Sequence, residues 1–141
     1  MKQIVALLLL ALPFLGYSQT ITVNVTGVES PKGHLLMGVF TSDEAFDDEK
    51  PVKNMSFAKA KVKEGKLSFS FELEPGTYGL SFVDDENDSK SMDYNWMHIP
   101  EEGFGFSDYY LSGMSKPGFD DFKFTVKKGE NKTVTVKMRY L

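Results

Sequence analysis

A chain of 141 residues, 41% hydrophobic and 26% charged, with a net charge of −4 and no cysteine, is long enough for one domain with its own core. Lacking cysteine, it can form neither disulfides nor thiolate metal sites, and a lipid-modified N-terminal cysteine is excluded. The acidic balance argues against nucleic acid or an anionic membrane surface as partner, because both select a clustered positive face. It is compatible with cation binding.

At the N-terminus, Lys2 precedes an apolar run from Ile4 to Leu15, and Gly16 and Ser18 place small residues at the two positions a signal peptidase inspects. The expectation is a secretory signal peptide over 1–18, cleavage before Gln19, and one domain over 19–141. The run falls short of the roughly 20 apolar residues a membrane span needs, so no transmembrane anchor is expected. The protein would be exported by the secretory pathway to the periplasm or beyond the cell.

From Thr20 the chain alternates strictly, with Ile21, Val23 and Val25 on one face and Thr22, Asn24 and Thr26 on the other, the pattern of a half-buried strand. After a Ser30-Pro31-Lys32-Gly33 turn, Leu35 to Phe40 is apolar on both faces and reads as a central strand, paired with the first. Thr41 to Asn54 breaks the pattern, and Ser42 or Asp43 can cap a helical turn through Phe46. Ala58, Ala60 and Val62 against Lys59, Lys61 and Lys63 suggest a third strand with outward lysines at a sheet edge.

Leu67, Phe69, Phe71 and Leu73 form the clearest alternating strand, and Tyr78, Leu80 and Phe82 repeat the pattern after the Pro75-Gly76 turn. Phe122, Phe124 and Val126, then a turn at Lys128 to Asn131, then Val134, Val136, Met138 and Tyr140 suggest a closing hairpin. Seven short strands with no amphipathic helix must bury one sheet on another. The expected fold is all-β, a single antiparallel β-sandwich of about seven strands with immunoglobulin-like or transthyretin-like strand order.

Specific chemistry concentrates between Glu74 and Asp108. Oxygen-bearing side chains at Asp85, Asn87, Ser89 and Asp93 follow the first, third, fifth and ninth positions of a calcium loop, so these four are the candidate metal ligands and calcium the candidate cofactor. Lys90 stands where that loop needs glycine, and Trp96 where it needs a bidentate Glu. A solvated acidic turn explains the same residues, because Asp and Asn readily bond their own backbone.

An aromatic loop follows, with Tyr94, Trp96, Phe104, Phe106, Tyr109, Tyr110 and Phe119 among glycines. Exposed rings at Tyr94, Trp96 and Tyr109 are the candidate ligand contacts; the competing reading, which the Phe-Gly alternation favours, is that the rings fold inward and plug the open end of the core. His34 and His98 lack metal-ligand spacing partners, and the adjacent acids Glu101-Glu102 and Asp120-Asp121 would face opposite ways in a strand. No nucleophile turn or phosphate-cradling loop occurs, so a non-enzymatic role is expected and a hydrolase is the weaker alternative.

Three features carry a family resemblance: Pro75-Gly76-x-Tyr78, the Asp85-x-Asn87 run, and Ile99-Pro100-x-Glu102-Gly103-Phe104-Gly105-Phe106-Ser107. With the closing Phe119-x-x-Phe122-x-Phe124, the chain resembles the bacterial family catalogued as domain of unknown function 2141. The resemblance implies a small secreted or periplasmic β-sandwich. Members often carry His before the first Asp and Asn-Gly later in the loop, positions held here by Asp84 and by Ser89-Lys90; Lys90 removes backbone freedom and adds a positive charge. The expectation is a binding or accessory module of the cell envelope, with an envelope protein, a peptide or a glycan as partner.

Overall fold

The computed structural model describes residues 18–141. The expected signal peptide lies outside them except for Ser18. The chain forms β1 (Gln19–Thr26), β2 (His34–Phe40), α1 (Asp43–Asp47), β3 (Lys53–Ala58), β4 (Leu67–Leu73), β5 (Gly76–Asp85), β6 (Phe104–Phe106), α2 (Phe119–Phe122), β7 (Lys123–Val126) and β8 (Lys132–Lys137). A 3₁₀ turn over Lys59–Lys61 follows β3.

These strands make two facing sheets, a three-stranded one ordered β4-β1-β8 and a five-stranded one ordered β3-β2-β5-β6, with β7 pairing the first half of β5. The all-β sandwich expected from the alternation is present. Ile21, Val23 and Val25 from β1 meet Leu35, Met37 and Val39 from β2 and Leu80 and Phe82 from β5 in the inter-sheet core. Each such side chain removed from water contributes roughly 1.5–3 kcal/mol.

Several sequence expectations are corrected. The first two strands are not neighbours, because β1 pairs with β4 and β8 while β2 pairs with β3 and β5. Alternation dictates which face of a strand is buried and leaves the neighbour open. The final two strands form no hairpin: β7 joins β5, and β8 crosses to the other sheet and runs parallel to β1, so the sandwich is mixed rather than wholly antiparallel. The edge strand before Leu67 is Lys53–Ala58, not the Ala-Lys repeat after it. Phe122 lies in α2 rather than in a strand.

The five-stranded sheet is covered on its outer face too. Phe40 from β2, Phe46 from α1, Phe104 and Phe106 from β6, and Phe119 and Phe122 from α2 form a second buried cluster. This is why β2 is apolar on both faces. The loop phenylalanines fold inward, as the plug reading expects, but onto the sheet's outer face and not into the open end of the core. Ser42 caps α1 by accepting the Ala45 N–H at 3.1 Å, and Asp43 Oδ1 accepts the Phe119 N–H at 2.7 Å, which ties α2 to α1. Buried Ser107 locks the cluster to the sheet: its hydroxyl donates to the Phe122 carbonyl at 2.6 Å and accepts the Leu80 N–H at 2.9 Å.

Candidate functional site

The long strand β5 ends in Asp84 and Asp85, both fully buried, and its polypeptide then leaves the sheet as the acidic loop. The four candidate metal ligands are brought together there. Asp85 Oδ1 accepts the Ser89 N–H and Oδ2 accepts the Lys90 N–H, each at 2.9 Å. Asn87 donates its side-chain N–H to Asp93 Oδ2 at 2.7 Å, and the Ser89 hydroxyl lies 3.0 Å from the same oxygen. The loop thus satisfies its own backbone, as acidic turns do. Among the described residues no three His, Cys, Asp or Glu side chains converge as a metal cage; a cation here would rest on two carboxylates, an amide and a hydroxyl.

Asp88 and Lys90 adopt left-handed backbone, with φ of 56° and 71°, a conformation that disfavours side chains beyond glycine. His34, on the facing end of β2, places Nδ1 2.6 Å from Asp88 Oδ1. Glu102 is a further strut that the sequence did not reveal. Its carboxylate accepts the Glu86 N–H at 3.1 Å and the Asp93 N–H at 3.4 Å, joining both ends of the loop. Desolvation pushes the Glu102 carboxyl upward, with nearby Asp93 and Asp85 adding to the rise and the two N–H donors opposing it.

Beyond Asp93 the chain makes a small hairpin, with Tyr94 bridged to Pro100. Asn95 organises its tip: the side-chain oxygen accepts the Met97 and Ile99 N–H groups at 2.8 and 3.1 Å. The three candidate ligand-contact rings do not form one platform. Trp96 sits at the tip and is 88% exposed, Tyr94 lies at the hairpin base, and Tyr109 packs against the outer phenylalanine cluster.

Hairpin, sheet and the segment before α2 enclose a cleft of about 740 Å³. Its floor is the outer sheet face, with Leu36 and Gly38 from β2 and Ser81 and Val83 from β5, and Phe40, Phe46, Phe104 and Phe106 of the second cluster also line it. Met92, Tyr94, His98 and Pro100 make one wall, and Leu111 and Met114 another. Lys90, Glu49 and Lys116 line it with charge. Lys116 is held by Asp47 at 3.1 Å and lies over the Phe46 ring. Neighbouring Glu49 adds to the desolvation that holds the Tyr94 phenol above its usual range. Arg139 steadies the second wall by donating to the Gly113 carbonyl at 2.6 Å.

Behind the acidic loop lies a buried polar cluster. Lys59, expected to point outward from an edge strand, is instead 5% exposed and meets Asp84. Asp84 Oδ2 accepts the Tyr140 hydroxyl at 2.5 Å. Gly103 lies against the Tyr140 ring, where an added Cβ would fall 2.3 Å from the nearest ring carbon.

No helix among the described residues is long and apolar enough to cross a membrane. No curated protein and no solved structure matches the chain. The model of a family described as uncharacterized protein conserved in bacteria, DUF2141, matches residues 23–135, a span that runs from β1 into β8 and takes in the acidic loop, the hairpin and the cleft. The chain belongs to that family.

Proposed function

We propose that the chain is an exported, non-catalytic binding module of the bacterial cell envelope whose ligand site is the cleft on the outer face of the five-stranded sheet. The cleft itself carries this reading: its volume of about 740 Å³ falls within the roughly 300–1,000 Å³ of small-ligand sites. Its lining is aliphatic and thioether-rich, with Leu36, Val83, Met92, Leu111 and Met114, and methionine suits surfaces that adapt to varied apolar groups. Asn54 and Ser56 of the edge strand β3 add polar contacts beside it. This combination favours an extended peptide segment of an envelope protein, with apolar side chains in the cleft and backbone along the edge.

Fluorescence anisotropy with labelled apolar peptides tests this. Binding should be lost in Leu36→Lys and kept in Trp96→Ala. Binding of oligosaccharides that depends on Trp96 and Tyr109, and not on Leu36, would move the site to the aromatic loop.

A structural calcium ion at Asp85, Asn87, Ser89 and Asp93 is a second element of the reading. It is supported by the convergence of these side chains on Asp93 Oδ2 and Asp85 Oδ1 and by the spare lone pair that Asp85 Oδ2 keeps beside the Lys90 N–H. A melt in EDTA, then millimolar calcium, with magnesium as control, should show a calcium-specific rise of several degrees that Asp85→Ala abolishes. Equal melts would reduce the loop to a self-satisfied turn.

A further inference from the structure

The buried pair Lys59 and Asp84 is unlike an ordinary ion pair. Lys59 opens the 3₁₀ turn after β3, and Asp84 lies two strands away near the end of β5, in the same cross-sheet row as Leu35 and Phe57. The lysine side chain therefore crosses beneath β2 to reach the carboxyl group. The two side chains are 2% and 0% exposed.

Lys59 Nζ is in contact with Asp84 Oδ1, yet Oδ1 accepts no hydrogen bond. The amine hydrogen bond goes to the Ser30 carbonyl at 2.7 Å. Nitrogen and carboxyl oxygen are thus held in contact while the amine's hydrogen bond is directed at Ser30. The other carboxyl oxygen, Oδ2, accepts the Tyr140 hydroxyl at 2.5 Å, and the phenol oxygen is fixed in turn by the Glu29 N–H at 3.1 Å.

We propose that Lys59 and Asp84 condense into an intramolecular amide that staples the end of β3 to β5. A proton passes from the ammonium to Oδ1, and the freed Nζ lone pair adds to Cγ. Charge that builds on Oδ2 meets the Tyr140 hydroxyl, already placed as donor. A second Nζ proton then moves to Oδ1, the Cγ–Oδ1 bond breaks, and one water leaves. Nothing is oxidised or reduced and no co-reactant is needed. Two features favour the step: the reacting groups are held in contact, which raises their effective concentration, and condensation replaces two buried charges, which are costly to desolvate, by one neutral amide. Tyr140 is the hydrogen-bond donor to the reacting carboxyl, and Ser30 orients the amine.

Intact-mass spectrometry of the exported protein tests the proposal. The expected mass lies below that of the mature sequence by one water, about 18 Da, with fragment spectra joining Lys59 to Asp84. In Lys59→Met the deficit should vanish. In Asp84→Asn the leaving group becomes ammonia, so the cross-linked peptide should instead show a loss of about 17 Da, a signature that a purely structural pair cannot give. A wild-type protein that keeps the full mature mass after prolonged incubation, or a water deficit that persists in Lys59→Met, would overturn the assignment.

Discussion

Tyr140 and Asp84, 56 residues apart in the chain, meet through a 2.5 Å hydrogen bond from phenol to carboxyl oxygen, so the C-terminal segment is anchored to the end of the strand that launches the acidic loop. Burial and then the Asp84 hydrogen bond hold the Tyr140 phenol well above its ordinary range. Tyr140→Phe should lower unfolding free energy by about 1–3 kcal/mol, the cost of leaving the buried Asp84 Oδ2 acceptor without its donor. A group whose folded pKa is raised contributes its full stabilisation below its unfolded value and loses it as pH climbs. Urea unfolding should therefore show wild-type stability falling above about pH 10, with part of that fall absent in Tyr140→Phe.

Lys90 carries its left-handed backbone at a φ of 71° while its N–H serves Asp85. Glycine keeps the N–H and removes the penalty of about 1–2 kcal/mol for a side chain in that region, less the roughly 0.5–1 kcal/mol glycine loses in chain entropy. Lys90→Gly should raise the melting temperature by about 2–4 °C, and Lys90→Ala should leave it unchanged. Scanning calorimetry of the two variants separates the backbone effect from the loss of charge.

Phe122 and Trp96 belong to the same aromatic-rich third of the chain and should behave oppositely. Phe122 is 1% exposed, with ring centroids of Phe46, Phe106 and Phe119 at 4.9, 5.1 and 5.8 Å. Phe122→Ala should cost about 3–5 kcal/mol. Trp96→Ala should stay within about 0.5 kcal/mol of wild type, because its ring is exposed. Chemical denaturation of both measures how far the plug, rather than the exposed tip, stabilises this region.

The legible parts of the fold were those where alternation alone decides the structure. Ile21, Val23 and Val25 in β1, and Leu67 and Phe71 in β4, face the core as their spacing predicts. Pairing was not legible, because β1 can bury the same face beside β2 or beside β4. Lys59 misled for a related reason: in Ala58-Lys59-Ala60-Lys61 it looks like a solvated edge, and its burial is made tolerable by Asp84 and the Ser30 carbonyl, both distant in sequence.

The candidate site was partly legible. Asp85, Asn87, Ser89 and Asp93 do lie in one loop, since their spacing is local. The cleft was hidden, because Leu36 and Val83 read as ordinary strand residues and their outward exposure depends on where Met92 and Met114 fold back. A residual signal was the apolar outer face of β2, which a single sheet-on-sheet core does not require.

The central claim, a binding cleft on the outer sheet face, is tested most directly by carbon-13 methyl spectra of methionine-labelled protein titrated with apolar peptides. Met92 and Met114 line the cleft, Met97 is exposed on the hairpin and Met138 is buried in the core. Binding in the cleft predicts saturable shifts at Met92 and Met114, with Met138 still and Met97 nearly so. Saturable shifts confined to Met97, or none at Met92 and Met114 across the peptide series, would contradict it.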